Sequence, residues 1–65
     1  MTFGEMLKIA RKKRFLSQES MAKELNISFT AYNRLENSKS KPNYATQKAF
    51  HDFCVSNSIQ FKESE

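Results

Sequence analysis

The chain has 65 residues and a net charge of +4, with 38% apolar and 28% charged residues. These values describe one small globular domain and exclude a disordered chain. A single cysteine, Cys54, excludes an internal disulfide and a cysteine-based metal site, which suits a reducing cytoplasm. No apolar run approaches membrane length and no signal peptide opens the chain, so we expect a cytoplasmic protein without membrane contact.

The charge is unevenly distributed along the chain. Residues 1–48 contain ten Lys or Arg and four Asp or Glu, a net charge of +6. Residues 49–65 contain one Lys and three acidic residues, a net charge of −2. This basic body with an acidic end fits a polyanionic partner, although a solvated basic surface would have the same charge.

A first helix is predicted after Thr2 and as far as about Arg14. Thr2 can cap its N-terminus, and Glu5 three residues later would complete a capping box. Helical spacing indicates an apolar stripe formed by Phe3, Met6, Leu7 and Ala10. The basic last turns either stabilise the negative end of the helix dipole or attract phosphate. The next two residues, Phe15 and Leu16, are expected to enter the core.

Residues 18–35 predict two short helices around a tight turn. The first helix has an apolar face at positions i, i+1 and i+4, formed by Met21, Ala22 and Leu25. Asn26 can adopt the left-handed conformation that ends a helix, and Ser28 can cap the second helix. Ile27 would be buried in the turn, and the inward face of the second helix would be Ala31, Tyr32 and Leu35. This arrangement is a helix-turn-helix, in which the small Ala22 permits a close crossing.

A last helix is predicted from Tyr44 to Val55, after a basic loop at residues 38–43. Its inward face would consist of Ala45, Ala49, Phe50, Phe53 and Cys54. Asn57 and Ser58 would end it. The alternating segment at residues 59–61 then allows a short strand, an extended arm that joins a second copy, or a segment that covers the chain's own core.

The helix-turn-helix resembles the DNA-binding domains of the phage lambda repressor and Cro (Xre-type) family. The segments Leu16-Ser17-Gln18-Glu19-Ser20 and Arg34-Leu35-Glu36-Asn37 are very close to what the family carries at the two ends of the motif. The resemblance runs from about residue 3 to about residue 54. It implies an all-α, lambda-repressor-like bundle of four to five short helices, with the helix-turn-helix at 18–35. The DNA-binding domain would span 1–57, and 58–65 would form a C-terminal tail.

Two helix ends depart from the family's pattern. Phe15 stands where the family usually has Gly or Asn, so it either forces a different turn or packs over the helix ends. Asn37-Ser38 replaces the usual Asn-Gly after the second helix of the motif. Without glycine, Asn37 or Ser38 must adopt a less favourable backbone conformation.

The resemblance also implies which residues read DNA bases. The outward residues of the second helix match the family's base-reading positions, which are here Ser28, Phe29, Thr30, Asn33 and Arg34. Arg34 is the best candidate for a bidentate contact with guanine, although a phosphate contact or a salt bridge would also suit it. Phe29 replaces the glutamines that members often carry. It either presses on a thymine methyl group or packs on neighbouring side chains.

Other positions that match the family's pattern imply contacts with DNA phosphates and one structural ion pair. The phosphate-binding positions are Ser17, Gln18, Asn37, Lys39 and Lys41. The helix N-terminus supports phosphate binding at Gln18, whereas Ser17 is the weaker candidate because it also caps that helix. Arg11 and Glu36 match a pair that the family often forms, which implies a structural ion pair rather than a DNA contact.

These features predict a sequence-specific, double-stranded-DNA-binding transcriptional regulator, a repressor or Cro-like protein that reads the major groove with residues 28–36. A restriction-modification controller protein or an antitoxin of the same fold is the alternative. From another class, a protein-interaction module without DNA specificity remains open. Because one such helix reads only a few base pairs, we expect a homodimer on a pseudo-palindromic operator. Its candidate contact surface is Phe50, Phe53, Ile59 and Phe61.

Nothing in the sequence indicates catalysis. It contains no plausible Ser-His-Asp set, no glycine-rich phosphate loop and no carboxylate pair in an apolar setting. The single histidine, His51, has no partner residues at metal-ligand spacing. We therefore predict a protein that is not an enzyme and that needs no metal, cofactor or small-molecule substrate.

Overall fold

A computed structural model describes residues 2–61, which form four helices joined by short connections. Helix α1 spans Phe3–Lys13, α2 spans Gln18–Glu24, α3 spans Phe29–Glu36 and α4 spans Tyr44–Ser56. Residues 2–61 contain no β-strand. The predicted all-α fold is therefore confirmed, and α2 and α3 form the helix-turn-helix.

Each helix begins after a side chain that accepts a hydrogen bond from the backbone N–H three residues later. The four caps are Thr2, Ser17, Ser28 and Asn43. Their oxygens lie 2.8–3.1 Å from the backbone nitrogens. At α1 the capping box is complete, because the Glu5 carboxylate also accepts the backbone N–H of Thr2. Short polar side chains therefore determine where the helices begin.

All four helices also end in the same way, in a Schellman motif. The residue after each C-cap has a φ of 56–61°, and these residues are Phe15, Asn26, Ser38 and Ser58. The following residue donates its backbone N–H to the carbonyl five residues earlier, as Leu16 does to Arg11 at 3.0 Å. None of the four is glycine, so each holds an L side chain in the left-handed conformation. The predicted left-handed conformation of Asn26 is confirmed. Of the two residues expected to take a less favourable conformation after α3, Ser38 does so and Asn37 does not.

The core forms where α3 meets both α1 and α2, and α4 closes it. Leu7, Met21 and Tyr32 are the largest fully buried side chains. Ala22 in α2 is also buried. The buried apolar residues are Leu7, Ala10, Met21, Ala22, Leu25, Tyr32, Leu35, Phe50, Phe53, Cys54 and Ile59.

Gly4 allows α1 to approach the end of α3. It is buried, and a Cβ atom at this position would lie 2.7 Å from the carbonyl oxygens of both Leu35 and Glu36. A carbon and an oxygen do not approach so closely without strain, and helical carbonyls cannot move aside as a flexible side chain would. The chain's single glycine is therefore required for helix packing and not for a turn.

The prediction that Phe15 enters the core is wrong. Its side chain is 95% exposed, which also excludes packing over the helix ends, whereas Leu16 packs against the core. In a Schellman motif the apolar contact is made by the residue after the left-handed one. Phe15 occupies the left-handed position and Leu16 follows it, so only Leu16 turns inward.

The inward face of α4 differs from the predicted face by one residue. Ala45 is exposed and Thr46 is buried instead. Thr46, Phe50, Phe53 and Cys54 follow the spacing i, i+4, i+7 and i+8, which forms one continuous stripe. A threonine can take a place in this stripe because its side chain also carries a methyl group.

Residues 59–61 fold back on the chain's own core, one of the three arrangements that the sequence allows. Ile59 is buried, and its N–H donates to the carbonyl of Cys54 at 2.8 Å. The Phe61 ring centroid lies 6.1 Å from that of Phe50, which packs edge-on against Phe3 at 5.3 Å. Most of the predicted dimer surface is therefore used within one copy. A dimerisation role for the tail stays a prediction, and its residues 62–65 lie outside the described residues.

Candidate nucleic-acid interface

The start of α3 presents an exposed surface opposite the face that packs in the core. Ser28, Thr30 and Arg34 are exposed, and the Phe29 side chain is 48% exposed. On the opposite side Tyr32 and Leu35 are buried. Helical geometry thus places four of the five predicted base-reading residues where another molecule can reach them. The fifth, Asn33, is half-buried and contacts α2.

A buried carboxylate at the end of α3 joins the first three helices. Glu36 is only 4% exposed, and its Oε2 lies 2.8 Å from Nε of Arg11 in α1. Its Oε1 accepts hydrogen bonds from Arg11 Nη2 at 3.3 Å and from Gln18 Nε2, in α2, at 2.7 Å. The Tyr32 hydroxyl donates to Oε2 from the preceding turn of α3. The ion pair that the resemblance implied is therefore present, with two more donors that hold the same carboxylate.

The surroundings of Glu36 keep this carboxylate ionised. Burial by itself raises its pKa, but the hydrogen bonds from Arg11, Tyr32 and Gln18, together with the charge of Arg11, outweigh burial and lower the pKa. The hydrogen bond to Glu36 raises the pKa of Arg11, and burial raises the pKa of Tyr32. At neutral pH the group is thus a carboxylate, a guanidinium and a neutral phenol.

Three amide side chains continue this network along the surface of α2 and α3. Asn37 Nδ2 donates to Asn33 Oδ1 at 3.2 Å, and Asn33 Nδ2 donates to Gln18 Oε1 at 3.2 Å. Gln18 in turn donates to Glu36. Gln18, Asn33 and Asn37, which we call the amide chain, therefore link the end of the helix-turn-helix to its beginning.

The remaining predicted phosphate ligands lie at two places. Ser17 caps α2 by accepting the Ser20 N–H, and its hydroxyl donates to Ser20 Oγ at 3.1 Å. Lys39 and Lys41 are exposed in the loop between α3 and α4. Arg34 lies beside this loop, where its Nε donates to Ser40 Oγ at 3.1 Å. The structure thus brings Arg34 to the basic loop and brings Gln18 to Asn33 and Asn37.

Comparison with known protein families bears on this arrangement. A family model described as Helix-turn-helix matches residues 7–50, which is 44 of the 65 residues. The chain belongs to the Cro/C1-type helix-turn-helix family. The match includes all of α2 and α3 and most of α1. No curated protein and no solved structure gave a significant match to the chain.

Membership of the helix-turn-helix family makes this chain a DNA-binding regulator in the broad sense. The family is generally non-enzymatic. Within residues 2–61, no three His, Cys, Asp or Glu residues are grouped so that they could hold a metal ion. None of the four helices described above is both long and apolar enough to cross a membrane.

Sequence reasoning missed two contributors to this helix-turn-helix. The sequence analysis gave Gly4 no role, and it assigned Tyr32 only to the inward face of α3. A usable signal existed for Tyr32: a buried tyrosine needs a partner for its hydroxyl, and Glu36 lies one helical turn later. No such local signal existed for Gly4, because its neighbours are 31 and 32 residues away along the chain.

Proposed function

We propose that this protein is a sequence-specific transcriptional regulator, a repressor or Cro-like protein, that places α3 in the major groove of double-stranded DNA. The observation that carries the proposal is the exposed start of α3, whose opposite face is tied to α1 and α2 through Glu36. A rigid helix with exposed side chains in its first turn suits the readout of base edges. The net charge of +6 over residues 1–48 favours approach to the phosphate backbone.

Individual side chains suit different parts of this readout. Arg34 is exposed, and its Nη atoms have no hydrogen-bond partner among residues 2–61, so it serves as the bidentate partner of a guanine. Phe29 offers an apolar surface to a thymine methyl group, and Thr30 and Ser28 carry hydroxyl groups for adjacent base edges. Asn33 differs from these residues because both polar atoms of its amide are already hydrogen-bonded.

Phosphate contacts would hold α3 in register. Gln18 and Ser17 lie at the N-terminus of α2, where backbone N–H groups favour an anion. Lys39 and Lys41 are exposed beyond the other end of α3, and Asn37 caps that end. Ligands at both ends of the motif would fix the orientation of the helix on the duplex without reading its sequence.

A homodimer is part of the proposal because one α3 helix contacts only a few base pairs. Two copies on a pseudo-palindrome would place their helices in half-sites roughly 34 Å apart. A groove along α1 and α4, in which the apolar residues Phe3, Met6 and Val55 lie beside the polar residues Gln47 and His51, is a candidate for the contact. Val55 is 65% exposed there. Sedimentation of the protein alone and of its complex with the DNA site tests the homodimer. A monomer in the free protein together with one copy per DNA site in the complex would refute it.

Selection of bound sequences from a random DNA pool tests the main proposal. We expect one enriched site, with an affinity that falls steeply as salt increases because counterions are released. Binding that shows neither sequence enrichment nor salt dependence would instead favour a protein-interaction module.

Two substitutions then separate base reading from phosphate binding. Arg34→Ala is expected to weaken binding to the selected site by roughly 1–3 kcal/mol and to relax the preference at one base pair. The matched variant Lys39→Ala is expected to weaken binding to all DNA sequences similarly. It should also reduce the slope of log affinity against log salt concentration by about 1. Equal losses on selected and random DNA for Arg34→Ala would make Arg34 a phosphate ligand.

A further inference from the structure

The hydrogen bonds of the amide chain can run in only one direction. Glu36 is ionised, and a carboxylate can accept hydrogen bonds but cannot donate them. Gln18 must therefore turn its Nε2 toward Glu36, which leaves its Oε1 facing Asn33. Because that oxygen also only accepts, Asn33 must present Nδ2 to it and its own Oδ1 to Asn37. The charge on Glu36 thus fixes the orientation of all three amides.

This order leaves Gln18 with one N–H group for an outside acceptor. Its Nε2 carries two hydrogens, and Glu36 takes one of them. The remaining N–H is the group that the proposed function assigns to a DNA phosphate. The hydrogen bond from Asn33 holds the other end of the same amide. An amide held at both ends loses little rotational freedom when it binds a phosphate.

Asn33 is poorly arranged for reading a base. A bidentate contact with adenine uses both polar atoms of an asparagine amide. In this structure Asn33 Nδ2 is bonded to Gln18 and Asn33 Oδ1 to Asn37, and the residue is half-buried. Each of these two atoms keeps one further hydrogen or lone pair, but the two bonds hold the amide toward Gln18 and Asn37. Turning the amide away from them to face a base edge would break these bonds and leave the Gln18 oxygen without its partner.

We propose that Asn33 is a positioning residue, which orients the Gln18 amide for a DNA phosphate and reads no base itself. This inference rests on the proposed DNA-binding function and adds a role within it. It assigns Asn33 to the phosphate-binding part of the interface, although the residue lies on the same helix as Phe29, Thr30 and Arg34.

A double-mutant cycle with Gln18 tests the assignment on DNA. Affinity is measured by fluorescence anisotropy for the selected site and for its single-base variants. Asn33→Ala is expected to weaken binding to all of them by the same factor, about two- to tenfold, which is the usual effect of one lost hydrogen bond. In a Gln18→Ala background, Asn33→Ala is expected to cause a clearly smaller loss, because only its bond with Asn37 is then removed. The slope of affinity against salt should stay unchanged because neither residue is charged.

Thr30→Ala is the matched contrast, since Thr30 is exposed on the same helix and its side chain has no hydrogen-bond partner among residues 2–61. This variant should change the preference at individual base pairs. The positioning role is overturned if Asn33→Ala also changes the preference at one base pair. It is equally overturned if Asn33→Ala weakens binding by the same factor with and without Gln18.

A measurement without DNA keeps the test independent of the proposed function. In nitrogen-edited nuclear magnetic resonance spectra of the free protein, Asn33→Ala is expected to shift the side-chain NH₂ resonances of Gln18, whereas Thr30→Ala should leave them in place. Unshifted Gln18 resonances in the Asn33 variant would overturn the positioning role. Wild-type protein that binds no DNA would refute the proposed function alone, because these resonances would still report whether Asn33 orients Gln18.

Discussion

The two sides of this small bundle are held together by different chemistry. Between α1, α2 and α3, the buried carboxylate of Glu36 accepts hydrogen bonds from Arg11, Gln18 and Tyr32. Between α1, α4 and the C-terminal segment, the Phe50 ring packs between those of Phe3 and Phe61. Both sides bury apolar side chains, but only the first side adds a network of directional polar contacts.

This difference has a consequence for function. Hydrogen bonds require a given distance and angle, so the polar side determines where α3 lies relative to α2. Apolar packing tolerates small shifts as long as volume is conserved. The surface proposed to meet DNA belongs to the polar side, where a displaced helix would weaken DNA binding most. The aromatic side supplies stability without having to fix the position of any one atom.

Removing the carboxylate should break the polar side and cause the largest loss of stability. Glu36→Ala leaves the Arg11 guanidinium without its partner and the Tyr32 hydroxyl buried without an acceptor. We expect a loss of about 3 kcal/mol, the lower end of the range for a broken buried ion pair, because Arg11 is partly exposed. Urea denaturation measures it. The matched control is Asp52→Ala, which removes the ion pair between Asp52 and Lys48. The Asp52 side chain is 60% exposed, so this substitution should cost less than about 1 kcal/mol. Equal losses of stability in the two variants would contradict the role of Glu36 in holding the first three helices together.

Gly4→Ala should disturb both sides at once, because α1 contributes to each. The added Cβ would meet the carbonyl oxygens of Leu35 and Glu36 at 2.7 Å, so α1 must move away from α3. Overpacking of this kind costs roughly 1–3 kcal/mol, even though alanine favours the helix more than glycine does. The melting temperature measures the loss, with Lys8→Ala on the exposed face of α1 as the control. A melting temperature that rises in Gly4→Ala would show that helix propensity outweighs the contact.

Acid should weaken the polar side selectively. The folded protein holds the pKa of Glu36 below its ordinary value of 4.5, because its hydrogen bonds outweigh the effect of burial. A lowered pKa means that this stabilisation is complete above about pH 4.5 and is lost as the pH falls through the folded-state pKa. Denaturation series from pH 7 to pH 3 should show less acid sensitivity for Glu36→Gln than for wild type. Asp52→Asn should behave as wild type, and identical pH profiles for all three proteins would refute the role of Glu36.

Phe15→Gly should give the smallest change in stability, and this change should stabilise the protein. Phe15 adopts a φ of 57° with a side chain that is 95% exposed, so glycine would relieve the backbone conformation and remove almost no packing. We expect stabilisation by roughly 1 kcal/mol. Asn26→Gly, at the equivalent position after α2, should stabilise less because asparagine tolerates this conformation better. Destabilisation by Phe15→Gly would mean that the Phe15 ring makes a contact in solution.

The sequence by itself determined the helices and their ends. Caps such as Ser28 and left-handed residues such as Asn26 act through hydrogen bonds to residues only a few positions away, so their effect can be predicted locally. The apolar spacing in α2 and α3, with the small Ala22 buried in α2, was enough to predict the helix-turn-helix. The exposed positions on α3 followed from the same periodicity.

Only the tertiary structure decided which distant residues meet. Nothing near Gly4 in the chain indicates that the end of α3 lies against it, and nothing near Asn33 shows that both its polar atoms are bonded. The return of Phe61 to the core likewise depends on the ring of Phe50, which itself packs against Phe3 near the start of the chain. Secondary structure arises from contacts within a turn or two of helix. Helix packing, the direction of the amide chain and the use of the last apolar residues arise from contacts between segments, which local pattern alone does not contain.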